Sequence, residues 1–573
     1  MKNLEIAQIF YQMADFMEMK ENSFFESRAY NKAARVLESL KKDIEEIYEQ
    51  GGVDELKKIS GIGQAIGKKI EEFIKTGKIK AYQKLKKECP IDLESLMTVE
   101  GLGAKRIKIL YQKLKIKNFK DLEKAAVSGK IGELDGFGEK SEKNILQSIV
   151  LAKQDKGRFL LGVILPIVRK IVSNFKKMPE VKKICPAGSI RRMKETIGDI
   201  DILVISSKPG KIMDFFIQMP GIVKVWAKGM TKSSVHFKQG FDADLRIVKK
   251  QNFGAALQYF TGSKDHNIAL RKIAKKKGLK LNEYGVYNNR GKQIAGKNEK
   301  EVYNSINLPY IEPELRTNSN EIETALDNQL PKLIGYNDIK GECHCHSNWS
   351  DGTETIEGLA KIARKIGYEY LIITDHASPL GIIHGLDEKQ ILKQMAEIDR
   401  VNKKIKGIKV LKGIEVDIKS DGSLFIKDEV LSKLDFVLGA VHFGFKMDRD
   451  KMTQRIIKAI ENPNVDAIAH PTGRVINKRP GYKIDFEQIL KKAKGNKTAL
   501  EINAHASRLD LKDTNIRLAK EAGVKMTIGT DVHNTDYFKM MELGVAQARR
   551  GWAEKKDILN SQPLTKFVEY FKK

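Results

Sequence analysis

The sequence predicts a multidomain chain in which a helical N-terminal domain, an α/β or α+β middle domain and a C-terminal (β/α) barrel follow one another. A short glycine motif followed by an amphipathic helix occurs three times before residue 150. Strand and helix patterns then alternate from about residue 155 to 315. Eight of the ten histidines lie after residue 340, where apolar runs end in His or an acid. A chain of 573 residues is also too long for one hydrophobic core.

Composition and charge restrict the kind of protein further. No apolar run is long enough to span a membrane, and charged residues interrupt the N-terminus, unlike a signal peptide, so we expect a cytoplasmic protein. Four cysteines without CxxC spacing argue against a disulfide framework or a thiolate zinc site. Residues 101–300 supply most of the net charge of +29, with 43 basic and 17 acidic side chains. A surplus this localised predicts a surface that follows a phosphate backbone.

The first 150 residues repeat one pattern, in which two glycines separated by one residue precede a Lys-rich amphipathic helix. Glycine lets the backbone turn tightly, and a helix N-terminus presents amide donors that can hold a phosphate oxygen. The three copies resemble helix-hairpin-helix motifs, which bind the DNA backbone without reading bases; ordinary helix–helix turns are the alternative. The glycines assigned to these turns are Gly61, Gly63, Gly101, Gly103, Gly136 and Gly138.

The middle domain carries a pattern suited to phosphoryl transfer. A Gly188-Ser189 turn precedes a predicted strand that begins Asp199-Ile200-Asp201, and alternation along that strand puts both aspartates on one face. With Asp244 from a second strand, these carboxylates can hold two divalent ions that clamp the attacking and leaving oxygens of a displacement at phosphorus. An exposed strand edge is the alternative for an isolated Asp-x-Asp, and the glycine-serine turn argues against it.

Residues 1–315 resemble the family X DNA polymerases, the DNA polymerase beta group, in the segments 188–201 and 259–263 and in Asp244. The resemblance implies an α+β nucleotidyltransferase palm that works with two Mg²⁺ or Mn²⁺ ions. Asp199 and Asp201 would bind both ions, and Asp244 would bind the catalytic ion and activate the primer 3′-hydroxyl.

The same resemblance implies a set of nucleotide-binding residues. Tyr259, Phe260 and Gly262 would face the incoming sugar, and Asn267 and Arg271, four residues apart on one helix, would reach the minor groove of the nascent base pair. An exposed polar face is the alternative for Arg271. The full set is Gly188, Ser189, Arg192, Tyr259, Phe260, Gly262, Asn267 and Arg271.

The N-terminal residues resemble the small lyase domain of the same family, in which a lysine forms a Schiff base with an abasic sugar. Lys69 falls at the position of that lysine, and Tyr30 matches an aromatic residue of the site. A Schiff-base lysine needs a neighbouring cation or desolvation, yet Ala65 and Glu26 stand where supporting basic residues are expected. Lys68 and Lys69 are therefore interpreted as contacts to a DNA 5′-phosphate, with lyase chemistry as the alternative.

The region after residue 337 alternates apolar runs with helical segments, the pattern of a (β/α) barrel whose strand C-termini meet at one face. In the segment 342–346, alternation puts His344 and His346 on one face and Cys343 and Cys345, as packing residues, on the other. Nine imidazole or carboxylate donors are more than one ion can use, which favours two or three metals and phosphoester hydrolysis. The nine donors are His344, His346, Asp351, His376, Glu415, His442, His470, Asp531 and His533.

Residues 337–573 resemble the polymerase and histidinol phosphatase (PHP) domain, a distorted (β/α)₇ barrel with a trinuclear site. The resemblance implies that the nine donors are metal ligands, that Arg508 binds phosphate and that His384 reaches the substrate. Glu501 and His505 are interpreted as groups that orient ligands or as barrel packing. Two or three divalent ions are implied, and Mn²⁺, Zn²⁺ and Fe²⁺ all accept these ligands.

The fused arrangement resembles bacterial family X polymerases, which implies gap filling in base excision repair and a metal-dependent 3′-5′ exonuclease or abasic-site endonuclease. The alternative is a DNA-binding protein with a small-molecule phosphoesterase barrel and a weak polymerase. Expected partners are gapped or primed DNA and deoxynucleoside triphosphates, without a membrane, and the chain is expected to act as a monomer. The predicted parts are a helical lyase-like domain at 1–85, a fingers subdomain with helix-hairpin-helix motifs at 86–155, the start of the palm at 156–240, the end of the palm with a nascent-base-pair subdomain at 241–315, a linker at 316–336 and a PHP phosphoesterase domain at 337–573.

Overall fold

The structure is a computed structural model, and the residues described are 2–19, 24–40, 43–59, 61–97, 99, 102–138, 141–143, 145–146, 149, 158–379 and 385–571. They form two compact units, the first comprising Met1–Lys156 and Asn477–Arg479 and the second Gly157–Ile476 and Pro480–Lys573. Within the described ranges, no helix is both long enough and apolar enough to cross a membrane.

The first unit consists of helices packed around one hydrophobic core. Apolar residues at helical spacing, such as Phe10, Ile70 and Leu110, are fully buried. Gly63 and Gly103 occupy the N-cap positions of α4 and α7, whose apolar faces enter the core. The helices are α1 (Lys2–Met19), α2 (Phe24–Ser39), α3 (Ile44–Lys57), α4 (Gln64–Thr76), α5 (Lys80–Glu88), α6 (Leu93–Met97), α7 (Ala104–Leu114) and α8 (Phe119–Val127).

The second unit begins with the palm. Its strands are β1 (Phe159–Leu160), β2 (Val181–Pro186), β3 (Thr196–Ile197), β4 (Asp199–Ser206), β5 (Ile222–Lys228), β6 (Lys232–Phe237) and β7 (Asp242–Ile247), and its helices are α9 (Leu161–Lys176), α10 (Gly188–Arg191) and α11 (Pro209–Ile217). Five strands form a sheet of order β2-β4-β7-β6-β5, in which only β4 and β7 are parallel neighbours. Ile200, Ile202 and Val204 are buried along β4, which turns Asp199 and Asp201 to the other face.

The next segment packs helices against a small sheet. Its elements are a 3₁₀ helix at Lys250–Asn252, α12 (Phe253–Thr261), α13 (Lys264–Lys276), β8 (Lys280–Asn282), β9 (Gly285–Tyr287), β10 (Gln293–Ala295), α14 (Glu299–Ser305), a 3₁₀ helix at Pro313–Leu315 and α15 (Glu321–Leu326). The residues predicted as a linker pack into this segment. Arg316 is fully buried and its Nη1 donates to Glu299 Oε1 at 2.6 Å, and Glu321 Oε1 lies 2.6 Å from His266 Nδ1.

The rest of the second unit is a nearly closed parallel barrel of order β11-β12-β14-β15-β16-β17-β18, with β13 beside β14. His346 N–H donates to the Val532 carbonyl at 2.8 Å across the remaining gap. Its strands are β11 (Gly341–Glu342), β12 (Tyr370–Ile373), β13 (His376–Ala377), β14 (Lys409–Asp417), β15 (Phe436–Ala440), β16 (Ala467–Ile468), β17 (Ala499–Asn503) and β18 (Met526–Gly529). The predicted fold class, with helical, α+β and distorted (β/α)₇ parts, is confirmed.

Helices pack against the barrel, and the one at Leu564–Phe571 contacts Tyr370 and Phe436 of its strands through Phe567. They are α16 (Ile356–Ile366), α17 (Glu388–Lys404), α18 (Asp428–Leu431), α19 (Arg449–Glu461), α20 (Phe486–Asn496), α21 (Asp513–Ala522), α22 (Met541–Arg550) and α23 (Leu564–Phe571), with 3₁₀ helices at Thr535–Met540, Lys555–Asp557 and Leu559–Ser561. Cys343 and Cys345 are buried among apolar side chains. Both thiols therefore serve as packing residues.

The palm and the barrel share a hydrophobic core. Leu161 and Ile164 on α9 pack in one buried cluster with Leu509 and Leu543 of the barrel. Polar contacts border this cluster, since Arg474 of the barrel donates to Glu195 of the palm at 2.8 Å. The two folds are thus joined by interior packing as well as by the chain.

Candidate active sites

The first candidate site lies where the parallel strands β4 and β7 bring their carboxylates together. Asp201 and Asp244 are register partners. The Ser234 hydroxyl donates to Asp244 at 2.5 Å, and the Lys232 ammonium lies 2.7 Å from the same carboxylate. Burial, followed by the charges of Asp199 and Asp244, raises the pKa of Asp201 to about 6. Carboxylates held this close together favour bound cations.

The residues present fit divalent ions with oxygen ligands. Gly188 has a φ of 60°, and a Cβ there would lie 2.6 Å from Asp201 Oδ2, so only glycine lets this turn approach the carboxylate so closely. Asp199, Asp201 and Asp244 would hold the ions, and Mg²⁺ and Mn²⁺ suit such oxygen donors. When bound, the ions would stabilise negative charge on a transferring phosphoryl group.

A cavity of about 400 Å³ opens beside these carboxylates. Ser189 Oγ and Arg192 Nε are buried there without a hydrogen-bond partner among the described residues. Since a buried polar atom without a partner costs free energy, these atoms are suited to a polar ligand. The lining contains every predicted nucleotide-binding residue and three cationic residues that were not predicted: Gly188, Ser189, Arg192, Tyr259, Phe260, Gly262, Asn267 and Arg271, with Arg158, Lys194 and Lys264.

Hydrogen bonds fix the aromatic wall of this cavity. Asn267 donates to the Tyr259 carbonyl at 2.7 Å and accepts from the Gln258 amide at 2.7 Å, so its buried side chain acts on the position of Tyr259. Arg271 Nε donates to the Asn267 carbonyl at 3.3 Å. Arg192 donates to the Thr261 carbonyl. The turn that carries Arg192 and the aromatic pair are thus connected through Thr261.

The N-terminal lysines lie beside an aromatic ring. Lys69 Nζ is 5.7 Å from the centre of the buried Tyr30 ring, and Lys68 is exposed on the same helix. Burial, with Glu26, raises the pKa of Tyr30 to about 12, so the phenol stays neutral. Gly61 has a φ of 98°, which permits a tight turn before α4.

The third glycine motif also adopts left-handed backbone. Gly136 and Gly138 have φ values of 82° and 63°, conformations that favour glycine. Gly101 of the second motif lies outside the described residues.

The second candidate site is a cluster of imidazoles and carboxylates at the C-terminal ends of the barrel strands. The ligand atoms within each group lie within 4.8 Å of one another. His470 Nε2 joins them 3.0 Å from Glu415 Oε1. The structure thereby brings the nine predicted donors together, His470 through Glu415 and the other eight in overlapping groups, namely His346 with Asp351, His376 and His533; His344 with His346 and Asp531; and His376 with Glu415 and His442.

Several donor atoms of this cluster are buried without a hydrogen-bond partner among the described residues, although His470 and Glu415 are hydrogen-bonded to each other. His344 Nε2, both ring nitrogens of His346 and Glu415 Oε2 have no hydrogen-bond partner among the described residues. His346 Nε2 nevertheless lies 3.2 Å from Asp531 Oδ1, and His344 Nε2 lies 3.5 Å from Glu415 Oε2. Donors that converge without pairing fit metal ions held in common.

The pKa values of the cluster show how strongly its buried carboxylates attract positive charge. Burial and the neighbouring His376 lower the pKa of His346 to about 3, so this imidazole is neutral, as a metal ligand must be. Burial opposes ionisation of Glu415, yet His442 and His376 hold its pKa well below the usual range. Burial likewise opposes protonation of His442, yet Glu415 and Asp417 raise its pKa to about 10. The carboxylates therefore demand positive charge, which bound cations can provide.

Buried acids and an amide stand behind the donors and orient them. Glu501 Oε1 lies 2.6 Å from His344 Nδ1, and Asp417 Oδ1 lies 2.6 Å from His442 Nδ1. A carboxylate on the second nitrogen of a histidine fixes its tautomer and raises its basicity as a ligand. Asn503 in turn donates to Asp531 Oδ2 at 3.2 Å.

Other predicted residues of the barrel lie at the edge of the cluster. Arg508 Nε is 3.8 Å from Asp531 Oδ2, so its guanidinium borders the donor cluster. His505 Nδ1 lies 2.8 Å from Ser507 Oγ, and its ring is 5.0 Å from Tyr537. His384 lies outside the described residues. Imidazoles, carboxylates and a nearby guanidinium form a site suited to cleaving a phosphoester.

Four protein-family models match the chain. A helix-hairpin-helix domain matches residues 1–79, and a SAM-like helix-hairpin-helix tandem matches residues 93–149. The DNA polymerase beta thumb matches residues 256–317, and the PHP domain matches residues 342–505. The order of these models along the chain agrees with the order of its folds.

The whole chain also has a curated relative, the DNA polymerase/3′-5′ exonuclease PolX of Bacillus subtilis (strain 168). The two are 38% identical over 576 residues, which covers 100% of both chains. The chain belongs to the PolX family. PolX membership explains the helix-hairpin-helix, palm and barrel parts together, and divalent metal use and DNA binding follow from it.

The barrel of this PolX chain is similar to shorter proteins as well. A probable phosphatase of Thermoanaerobacter sp. (strain X514) is 32% identical over 230 residues, covering 38% of this chain and 88% of that relative. A probable phosphatase of Caldanaerobacter subterraneus subsp. tengcongensis is 31% identical over 191 residues, covering 31% and 70%. These relatives support a phosphoesterase fold for the PHP part.

Sequence reasoning missed residues in both sites. Asp417 stands two positions after Glu415 on one strand, so the alternation already used for Asp199 and Asp201 could have found it. Arg158 and Lys194 reach the cavity beside the aspartates from loops. The sequence offered no signal for their approach, because loops have no fixed spacing.

Proposed function

We propose that this chain fills short gaps in DNA during base excision repair and shortens 3′ ends with its barrel. The observation that carries the first activity is the single cavity in which cationic side chains, an aromatic pair and two of the three aspartates meet. The observation that supports the second is the buried donor cluster of the barrel. The full-length relative named as a DNA polymerase/3′-5′ exonuclease supports both.

In the polymerase site, we assign the roles by position. Asp199, Asp201 and Asp244 would hold two Mg²⁺ or Mn²⁺ ions, and Asp244 would also accept the proton of the primer 3′-hydroxyl. Ser189 and Arg192 would bind the triphosphate, since their buried polar atoms border the cavity. The carboxylates therefore lie beside a cationic pocket, and this arrangement suits in-line nucleotidyl transfer.

The aromatic side of the cavity would hold the sugar and base of the nucleotide. Tyr259 and Phe260 meet edge to face, with ring centres 5.1 Å apart. Asn267 donates a hydrogen bond to the Tyr259 carbonyl. We therefore assign to Asn267 the role of positioning the nascent base pair through Tyr259. Gly262 lets the backbone approach the ribose because it carries no Cβ, and Arg271 would face the minor groove.

In the barrel, the nine donors would hold two or three divalent ions, with Mn²⁺, Zn²⁺ and Fe²⁺ as candidates. Glu501 and Asp417 would orient His344 and His442 as ligands. Arg508 would hold the phosphate being cleaved, because its guanidinium lies at the edge of the cluster. His384 is retained as a candidate substrate contact on sequence alone.

The DNA contacts proposed for the first unit involve its backbone turns and lysines. Gly61, Gly63 and Gly103 precede helix N-termini that can hold phosphate oxygens. We assign Lys68 and Lys69 to the 5′-phosphate of a gap. Gapped or primed DNA and deoxynucleoside triphosphates are the proposed substrates of a monomer, and work on chromosomal DNA would place it in the cytoplasm.

The deciding experiment is extension and shortening of a labelled primer on gapped DNA with Mg²⁺ or Mn²⁺. Asp199→Asn/Asp201→Asn should lose extension by more than about 100-fold and keep shortening. His344→Ala should lose shortening and keep extension. Loss of both activities in either variant would contradict two independent sites. If the wild type shortens no DNA but hydrolyses a small phosphate ester, the barrel is a small-molecule phosphoesterase and not an exonuclease.

A further inference from the structure

Lys194 belongs to the wall of the nucleotide cavity, although no role was assigned to it from the sequence. Its backbone N–H donates to the Ser189 carbonyl at 3.1 Å, so it is part of the phosphate-binding turn. Lys194 lines the cavity together with Ser189, Arg192 and Arg158. Among the described residues, the Lys194 ammonium makes no hydrogen bond and no salt bridge.

Two barrel residues support this turn, Arg550 by contacting it and Asp513 by pairing with Arg550. Arg550, at the end of α22, donates from Nη1 to the Arg192 carbonyl at 3.5 Å and pairs with the Asp513 carboxylate. Its side chain is only 2% exposed, so the contact is part of the interior. The barrel thereby contacts the main chain that carries Arg192 and Lys194 at the cavity.

Several cationic groups lie close together at this corner. Lys194, Arg192 and Arg550 act on one another as like charges, and Asp513 and Glu195 are the acids that offset them near Lys194. Burial, followed by Arg550, lowers the pKa of Lys194 to about 8. Cations held together at such a cost favour a polyanion in the space they face.

We propose that Lys194 binds the terminal phosphates of the incoming nucleotide, and that Arg550 and Asp513 of the barrel are positioning residues for the turn that carries it. This inference rests on the proposed polymerase function. In this arrangement the PHP barrel carries its own active site and also positions the turn that binds the triphosphate in the polymerase site. A single ammonium facing the outer phosphates would contribute to nucleotide affinity more than to the chemical step.

The test compares Lys194→Met and Arg550→Met with Lys170→Met, an exposed lysine on α9, as the matched control. Steady-state gap filling gives kcat and KM for one deoxynucleoside triphosphate, and inorganic pyrophosphate serves as a competing anion. Lys194→Met should raise KM and the pyrophosphate inhibition constant about tenfold, with kcat within about threefold. Lys194→Arg should restore most of both, and the control should match the wild type.

Arg550→Met should raise KM for the nucleotide about threefold or more while 3′-end shortening by the same sample keeps its wild-type rate. That rate also shows that the variant folds, and Asp513→Asn gives a second, milder perturbation with the same expected direction. KM and pyrophosphate inhibition within twofold of the wild type for Lys194→Met would overturn the proposal. If the wild type adds no nucleotide, the polymerase function itself fails. Equilibrium binding of inorganic pyrophosphate to wild type and Lys194→Met then decides the phosphate site alone.

Discussion

Gly188 determines how closely the backbone at the start of α10 approaches Asp201 of the polymerase site. We expect Gly188→Ala to lower gap filling by about 100-fold, because its Cβ would meet Asp201 Oδ2 at 2.6 Å and the residue has a φ of 60°. Gly210→Ala is the matched control, since a Cβ there meets only Met230 at 3.6 Å. Primer extension measures the loss, and 3′-end shortening should be unchanged. Near-normal extension by Gly188→Ala would contradict this role.

Asp417 acts on the barrel site through His442, because Asp417 Oδ1 lies 2.6 Å from His442 Nδ1. Asp417→Asn should weaken metal binding and slow 3′-end shortening by about 10- to 100-fold, because the imidazole loses the acid that orients it. Titration of the metal-free protein with Mn²⁺, read by activity and by calorimetry, measures both effects. The exposed Asp421→Asn in the same barrel should behave as the wild type. An unchanged metal affinity in Asp417→Asn would remove this residue from the site.

At the residue scale, the sequence predicts side chains that belong to regular strands better than those on loops. Asp199 and Asp201 could be placed on one face by alternation, and the structure sets Asp201 beside Asp244 in register. Arg158 and Lys194 could not be predicted, because each reaches the cavity from irregular backbone. Tertiary approach of this kind leaves no spacing in the sequence.

The loop after β17 is an element shared by two folds. Ala506 and Leu509 of this loop pack in the palm core, whereas Arg508 between them points at the metal donors, 3.8 Å from Asp531. The position of Arg508 therefore depends on how the loop sits against the palm helix α9.

A change on the palm side should accordingly affect the barrel activity. In Gly162→Ala, the new Cβ would lie 2.5 Å from the Ala506 Cβ, so the loop must shift. We expect 3′-end shortening to fall by about tenfold in kcat/KM, with gap filling within about threefold. Gly495→Ala, whose Cβ meets nothing within 4 Å, is the control. A larger loss of gap filling than of shortening would show that the palm, and not the loop, bears the strain.

The segment predicted as a linker shows why element boundaries are harder to predict than active-site carboxylates. Its prolines, acidic run and polar residues are typical of a solvated connection. In the structure, Glu321 pairs with His266 and Arg316 pairs with Glu299, all of them buried. Charged residues whose partners lie inside a domain have the same composition as charged residues in solvent, so sequence alone does not separate the two cases.

For the whole molecule, the buried carboxylates of the barrel make metal binding part of its stability. Removal of divalent ions should lower the unfolding temperature of the unit that contains the barrel by about 5 °C or more, because ligand binding stabilises only the folded state. Scanning calorimetry with and without a chelator measures this shift. Glu415→Gln should reduce this change in unfolding temperature. An unfolding temperature that is the same with and without the chelator would argue against bound ions.

The charge of the whole chain leads to a separate expectation for DNA binding. Most of the net charge of +29 lies in residues 101–300, so affinity for nonspecific duplex should fall steeply with salt, by about 10³-fold between 50 and 200 mM if some six phosphates are contacted. Fluorescence anisotropy at several salt concentrations gives the slope. A slope near zero would show that the basic surface does not follow the DNA backbone.

The apolar cluster shared by palm and barrel also restricts how such a gene can be taken apart. A descendant that lost the barrel would leave Leu161 and Ile164 open to water, and one that lost the palm would do the same to Leu509 and Leu543. Either half would need several compensating polar substitutions before it could live as a free protein. The polymerase and phosphoesterase domains therefore evolve together, and a mutation that destabilises one of them exposes both activities to selection.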